Sequence, residues 1–274
     1  MAHQFELGFL GAGNMAEGIV AAVVATKLYP PERLIVADPL PARREFFQRQ
    51  FGVPATGDNR RVTAECRRIV LAVKPQGFNE AAEAIRDLVR GEQLLISIMA
   101  GITTRRIAAA FPGTTPRIVR VMPNLAIKVG AGIAGLCPGE QATERDVAET
   151  RAIFDAGGAT VVLSDESLMD ALTAVSGSGP AYFYAFVEAM AAGGVSCGLN
   201  QADALRLAEY ACLGAARMMI ETGEPPAELR RKVTSKGGTT FAALEHMERA
   251  GVPEAIHDAV RAACQRGQEL GREG

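Results

Sequence analysis

A length of 274 residues predicts one large domain or two domains of ordinary size. Hydrophobic residues make up 48% of the chain, which is enough for a packed core and excludes a disordered protein. The net charge of −2 gives no basic field for binding nucleic acid. No C-x-x-C pair is present, so the sequence predicts neither a metal site nor a disulfide framework from its five cysteines, Cys66, Cys137, Cys197, Cys212 and Cys264.

Membrane-spanning and secretion signals are not predicted. The N-terminus has no basic region and enters a strand-like run almost at once. The longest apolar stretch, residues 181–195, contains Glu188 and several glycines, and it is too short and too polar to span a bilayer. We therefore expect a cytoplasmic protein that binds neither membranes nor nucleic acid.

The first informative motif follows the apolar run Phe5–Leu10. It has the form Gly11-x-Gly13-x-x-Ala16 and leads into an Ala-rich helix. The first glycine permits a tight turn, the second lets the backbone approach a pyrophosphate, and the small Ala16 lets the helix pack on the strand. The helix N-terminus would face the phosphates with its partial positive charge. A glycine-rich loop without a ligand is the alternative, but the strand–loop–helix context favours a dinucleotide site that includes Gly11, Gly13, Asn14 and Met15.

An acidic residue follows where such a site requires one. Asp38 closes the second apolar run, Arg33–Ala37. A carboxylate at the end of the second strand accepts hydrogen bonds from the adenosine ribose, which favours NADH because a 2′-phosphate would face a like charge. Arg43 and Arg44 lie early in the next helix and could instead bind that phosphate. The sequence therefore leaves the choice between NADPH and NADH open.

Strand-like runs alternate with helical segments from Phe5 to about Leu163, which predicts βαβ units and a parallel sheet. The predicted strands are 5–10, 33–37, 68–73, 93–98, 117–121, 131–136 and 159–163. The predicted helices between them are 14–27, 41–51, 78–89, 103–110 and 143–155. From Asp165 onward the periodic apolar positions predict helices only. We therefore predict an α/β dinucleotide-binding domain over residues 1–163 and an all-α domain over residues 164–274.

Three strand ends carry residues that could face a ligand, because strand ends in doubly wound folds point into the binding crevice. Val73-Lys74-Pro75 places a cation and a fixed turn there, although a surface lysine after a strand is equally common. Ala100 and Gly101 are small, as a flat ring lying against the backbone needs, and a plain tight turn is the alternative. Asn124 follows the run Arg120-Val121-Met122-Pro123, and alone it is more typical of a turn or cap than of a binding residue.

Two motifs interrupt the helical half. Ser176-Gly177-Ser178-Gly179-Pro180 predicts a kink or a fresh helix start. Residues 233–240, with two glycines and several hydroxyl side chains, come directly before the predicted helix 241–249 and could seat a carboxylate on exposed backbone N–H groups. An ordinary Ser/Thr N-cap is the better interpretation on spacing alone. No Ser/His/Asp arrangement is visible, which suits a reaction whose chemistry is done by a cofactor.

Taken together, these motifs make the chain similar to the Δ1-pyrroline-5-carboxylate reductase family over nearly its whole length. The resemblance rests on Phe9–Ala16, Leu71–Pro75, Arg120–Asn124, Ser176–Tyr182 and Val233–Thr240. It implies a Rossmann-type domain, an all-α dimerisation domain, and reduction of a cyclic imine to L-proline with NADPH or NADH. It also implies that Asn59, Lys74 and Ala100 line the cofactor, that Gly238, Thr239 and Thr240 hold the substrate, and that Glu166 lies near it across a homodimer, with Thr240 the hydrogen-bond partner of the imine nitrogen.

The chain departs from the family pattern at two places. Leu125-Ala126 replaces Thr-Pro, and Lys236 replaces a proline before the two glycines, which adds a cation beside the proposed carboxylate seat. A β-hydroxyacid dehydrogenase is the nearest alternative enzyme, but the corresponding stretch 181–192 has no lysine. If the protein is not an enzyme, the alternative is a dimer that binds a nucleotide without catalysing a reaction. The sequence does not decide the number of dimers in any larger ring, inhibition by proline or the acceptance of related imines.

Overall fold

The computed structural model describes residues 3–273, and an eight-stranded sheet forms its centre. The strands are β1 (Phe5–Leu10), β2 (Leu34–Ala37), β3 (Ala55–Thr56), β4 (Cys66–Leu71), β5 (Leu94–Ser97), β6 (Arg117–Pro123), β7 (Gly132–Pro138) and β8 (Gly158–Val162). Their order across the sheet is β3-β2-β1-β4-β5-β6-β7-β8. The strand order reverses between β1 and β4, because β2 and β3 lie on one side of β1 and the later strands lie on the other. Doubly wound folds bind ligands at this position.

All seven predicted strands are confirmed, with ends within two residues of the predicted ones. The prediction of a wholly parallel sheet is wrong for the last two strands. Strand β7 pairs antiparallel with β6, and β8 pairs parallel with β7. Only a short helical turn, Leu125–Val129, joins β6 to β7, and so short a connection cannot make the crossover that a parallel pair needs.

The helices are α1 (Asn14–Ala25), α2 (Pro41–Phe51), α3 (Asn59–Glu65), α4 (Phe78–Ile85), α5 (Thr104–Ala109), α6 (Glu144–Asp155), α7 (Met169–Leu172), α8 (Gly179–Ser196), α9 (Gln201–Thr222), α10 (Pro226–Lys232), α11 (Thr239–Arg249) and α12 (Val252–Glu273). Strand β3 and helix α3 were not predicted. The strand has only two residues, which is too short for a recognisable pattern. The helix has the sequence NRRVTAE, and its two buried residues, Val62 and Thr63, are too few to show a helical period of apolar positions.

Apolar side chains cover both faces of the sheet, as the continuous apolar strand sequences require. One cluster packs Ile19, Phe47 and Phe154 from α1, α2 and α6 against the strands. The other packs Phe78 and Ile107 from α4 and α5 against the opposite face. Both faces of the sheet are therefore buried, and its open side is the carboxyl edge of the strands.

A single turn of π-helix, Thr173–Gly177, comes between α7 and α8. Helix α8 then begins afresh at Gly179 with a proline in its first turn. The predicted interruption at residues 176–180 is confirmed. Pro180 fits at this position because the first turn of a helix needs no N–H donor there.

The contacts divide the chain into two compact units. The first comprises residues up to Gly177 together with those from Cys264 onward, and the second comprises Ser178–Ala263. Residues 164–177 and the end of α12 thus belong to the same compact unit as the sheet. The predicted domain boundary between residues 163 and 164 stays a prediction. No helix among residues 3–273 is long and apolar enough to cross a membrane.

Candidate active site

The glycine-rich loop closes over the carboxyl end of β1. Gly11 has a φ of +102°, and its N–H donates to the carbonyl of Ala37 at 2.8 Å. A Cβ at Gly11 would lie 2.6 Å from the carbonyl oxygen of Ala72, so no other residue fits. Gly13 precedes α1, and a Cβ there would meet nothing within 4 Å. The loop therefore leaves room where a pyrophosphate would approach the helix N-terminus.

A first cavity of about 470 Å³ opens above this loop. It brings together most of the predicted cofactor residues, namely Gly11, Gly13, Asn14, Asp38, Asn59, Val73 and Lys74, with Arg43 beside them. Met15 does not line this cavity but packs against the apolar cluster under the sheet. A glycine cradle, a helix N-terminus and an acidic residue at the end of β2 fit the diphosphate and ribose of a dinucleotide.

A second cavity of about 510 Å³ begins where the first ends, since Lys74 lines one and Pro75 the other. Ala100 and Gly101 after β5 form part of its wall, as do Met122 and Thr173. Its charged residues are Arg106, Arg120 and Asp170. A dinucleotide whose adenosine half occupies the first cavity would place its nicotinamide half here.

Glu166 lies in the sheet-containing unit, at the start of the segment that leads to the π turn. Its carboxylate accepts hydrogen bonds from Thr104 N (2.9 Å), Thr104 Oγ1 (2.7 Å) and Arg120 Nη1 (2.9 Å). The predicted substrate residue is thus already held by the protein. Gly238, Thr239 and Thr240 lie in the helical unit, so the structure distributes the predicted substrate residues over two units.

Comparisons with known proteins agree with this geometry. Residues 166–270 match the family model described as pyrroline-5-carboxylate reductase dimerisation, and residues 6–101 match one described as NADP oxidoreductase coenzyme F420-dependent. A pyrroline-5-carboxylate reductase of Synechocystis sp. is 43% identical over 97% of this chain and 98% of its own length. The chain belongs to the pyrroline-5-carboxylate reductase family.

Solved structures of that family have the same fold. A pyrroline-5-carboxylate reductase from Coxiella burnetii is 36% identical, with a TM-score of 0.93 over 97% of this chain and 98% of its own. The Plasmodium falciparum pyrroline carboxylate reductase with NADP bound is 27% identical, with a TM-score of 0.85 over 99% and 100% of the two chains. The predicted Rossmann-type fold with a helical second part is therefore confirmed.

The loop before α11 has the form that a carboxylate seat needs. Gly237 has a φ of +73°, Gly238 is the N-cap of this 11-residue helix, and no side chain caps it. The interpretation that spacing alone favoured, an ordinary Ser/Thr N-cap, is therefore wrong. A Cβ at Gly238 would lie 2.5 Å from Ser235 Oγ and 3.2 Å from the carbonyl oxygen of Ser235, so the loop is closely packed at this residue. Thr239 is exposed and Thr240 half-buried at the start of the helix, and their roles in substrate binding remain predictions.

The sequence assigned no role to Arg120 and favoured a turn or cap for Asn124. Arg120 is 7% exposed and pairs with Glu166. Asn124 donates from Nδ2 to the carbonyl of Ser176 at 3.0 Å, and its Oδ1 accepts from the N–H of Ile133. Asn124 thus ties the π turn to strands β6 and β7. The available signal for Arg120 was its place between the apolar residues Val119 and Val121 within a strand, since a buried charge needs a partner.

Proposed function

We propose that this chain reduces 1-pyrroline-5-carboxylate to L-proline, with NADPH or NADH as the reductant. The observation that carries the proposal is the 43% identity to a pyrroline-5-carboxylate reductase over almost the full length of both chains. The two adjoining cavities support it, because together they offer a place for each half of a dinucleotide. A bound NADPH or NADH would supply the hydride for the C=N carbon, and the imine nitrogen would take up a proton.

The chain's own contribution is binding and orientation. Backbone N–H groups at Gly238, Thr239 and Thr240 hold the substrate carboxylate at the N-terminus of α11, where the helix dipole favours an anion. The Thr240 hydroxyl hydrogen-bonds to the ring nitrogen, which is protonated by solvent or by this hydroxyl. Holding the ring against the nicotinamide in one orientation supplies much of the rate enhancement.

The functional form is a homodimer in the cytoplasm. Within the helical unit, Ala191, Ala204 and Ala208 form the buried cluster, with Val187 packed against it. Large apolar side chains of the same unit are exposed, including Phe183, Tyr184, Leu207, Tyr210 and Ile220. An apolar surface of this kind is typical of an interface between subunits. The match of residues 166–270 to the dimerisation model supports the same assignment.

Measurements of initial reaction rates with purified protein test the proposed activity. The purified protein should oxidise NADPH or NADH only when pyrroline-5-carboxylate is added, and it should reduce NADP⁺ or NAD⁺ with proline at alkaline pH. A 3-hydroxy acid in place of proline is the matched control, since a β-hydroxyacid dehydrogenase would oxidise it. Tight NADPH binding without turnover on any of these substrates would instead support the non-catalytic nucleotide-binding dimer.

A further inference from the structure

We infer that Arg120 binds the carboxamide oxygen of the nicotinamide ring, so that it positions the ring rather than the substrate. The inference rests on the proposed function, because it takes a nicotinamide dinucleotide as the ligand. Arg120 lies on β6 and lines the second cavity together with Ala100 and Gly101. Arg120 pairs with Ser97, the last residue of β5, so it lies level with the carboxyl end of that strand, where such folds bind the cofactor.

The guanidinium of Arg120 has donors left over. Nη1 donates to Glu166 at 2.9 Å, and no other hydrogen bond of this side chain occurs within residues 3–273. The side chain is only 8% exposed, so bulk water has little access to it. In the described part of the chain, Arg117 Nε is the one fully buried side-chain polar atom without a partner, so the unused nitrogens of Arg120 keep some access to the cavity. A guanidinium whose free N–H groups face a cavity can donate to an acceptor atom of a ligand bound there.

Charges around Arg120 select the kind of acceptor. Glu166 already neutralises the guanidinium, and Thr104 holds that carboxylate in place with two further hydrogen bonds. Asp170 also lines the cavity, and its carboxylate accepts no hydrogen bond from any described residue. Asp170 and Glu166 balance the charges of the two arginines Arg106 and Arg120, so the cavity has no net positive charge to attract a second carboxylate. A neutral amide suits both groups, because its oxygen accepts from Arg120 and its NH₂ group can donate to Asp170.

The positions of the two cavities agree with this assignment. The first cavity ends at Lys74 with the glycine cradle at its floor, and the second begins at Pro75. The adenosine half in the first cavity leaves the nicotinamide half to enter the second. The small residues Ala100 and Gly101 then leave room for the face of the ring, and Arg120 meets the carboxamide at the edge of the ring.

Binding measurements with cofactor fragments test the inference. Arg120→Met should weaken NADP⁺ binding about tenfold or more, the scale of losing a hydrogen bond from a charged donor. Binding of 2′,5′-ADP, which lacks the nicotinamide, should change less than about twofold. Arg120→Lys, which keeps the charge but loses the planar fork, should fall between these values. Arg68→Met is the matched control, since Arg68 is a buried arginine of the same sheet outside both cavities, and it should leave the ratio of the two affinities unchanged.

A cofactor analogue separates contact from structural damage. Thionicotinamide NADP⁺ replaces the carboxamide oxygen by sulfur, a weaker acceptor, so the unaltered enzyme should bind it several-fold less tightly than NADP⁺. Arg120→Met should abolish most of that preference. An unchanged preference in the variant, an equal loss of 2′,5′-ADP affinity, or a rise confined to the KM for pyrroline-5-carboxylate would each overturn the inference. Failure of the unaltered protein to bind either NADP⁺ or NAD⁺ would instead contradict the proposed function.

Discussion

The carboxylate of Asp38 accepts a hydrogen bond from the backbone N–H of Ala12 at 2.9 Å, through Oδ2. Its Oδ1 accepts from the N–H of Leu40, also at 2.9 Å. Asp38 therefore braces the glycine-rich loop against the turn that follows β2. Each carboxylate oxygen has a second acceptor position, so the same group can still receive ribose hydroxyls from the first cavity.

Replacing Asp38 should change the choice of cofactor. Asp38→Ser removes a negative charge from the place where a 2′-phosphate would lie, a repulsion of about 1 kcal/mol at a partly exposed site. We expect the ratio of kcat/KM for NADPH to that for NADH to rise about fivefold, the factor that corresponds to this energy. Asp38→Asn, which keeps the shape and one acceptor oxygen, should give a similar shift. A ratio that stays constant in both variants would mean that the carboxylate does not face the ribose.

Arg43 and Arg44 should have separable effects on the same ratio. Arg43 Nε donates to the carbonyl of Ala12 at 2.7 Å and its Nη2 pairs with Glu17 at 3.0 Å, so this side chain supports the glycine loop. Arg44 Nη1 contacts only backbone carbonyls, those of Asp38 and Pro39. We expect the double replacement by alanine to shift the ratio toward NADH. Arg44→Ala alone should produce most of that shift, whereas Arg43→Ala alone should weaken the binding of both NADPH and NADH. Steady-state kinetics on the two single variants measure these effects. The opposite pattern would contradict the assignment.

Thr240→Ala should lower kcat/KM for pyrroline-5-carboxylate about tenfold or more, because one well-placed hydrogen bond is worth ~1.5 kcal/mol. The dissociation constant of NADPH should hardly change, since the residue lies in the helical unit. Thr234→Ala is the control, because the Thr234 hydroxyl donates to the carbonyl of Arg230 at 2.6 Å one turn earlier. Unchanged turnover in Thr240→Ala would remove this residue from the mechanism.

We predict an obligate dimer in which each active site combines the Rossmann-type domain of one subunit with the helical domain of the other. Gly13→Val should fill the phosphate cradle and keep the fold, since a Cβ at Gly13 meets no atom within 4 Å. Co-expression of Gly13→Val with Thr240→Ala should then yield about a quarter of the wild-type activity, because half of the dimers are mixed and each has one intact site. Activity no higher than the mean of the two variants, or full specific activity in a monomer by light scattering, would contradict the shared site.

Local signals predicted the parts of the site that depend on neighbouring residues. The glycine loop and Asp38 were visible because strand, turn and helix each have a pattern of a few residues. The Arg120–Glu166 pair spans 46 residues and the Asn124–Ser176 hydrogen bond spans 52, and nothing in the sequence fixes such pairings before the chain folds. The direction of β7 was mistaken for a related reason: the two-residue period of a strand is the same in both orientations.

An ion-pair network beneath the sheet should make stability depend on acidic pH. Arg68, whose side chain is 7% exposed, donates to Glu149 on α6 at 2.9 Å and to Glu6 on β1 at 3.0 Å. Burial raises the pKa of Glu149, but hydrogen bonds from Arg68 and Arg145 outweigh it and hold the pKa below its ordinary value of 4.5. The hydrogen bond from Arg33 lowers the pKa of Glu6 against the effect of burial, and Arg68 lowers it further.

The sign of the effect follows from these directions. A carboxyl whose pKa is lower in the folded state stabilises the fold above the pKa of the unfolded chain, and this stabilisation is lost as the pH falls through the folded-state pKa. Glu149→Gln should therefore reduce the free energy of unfolding by about 2 kcal/mol at pH 7, with the difference from wild type shrinking below about pH 4. Urea unfolding at equal protein concentration measures both the loss of stability at pH 7 and its decrease at acidic pH. Glu45→Gln, at an exposed pair with Arg49 on α2, should change stability by less than about 0.5 kcal/mol. A difference for Glu149→Gln that stays constant down to about pH 3 would show that the charge of this carboxylate does not stabilise the fold.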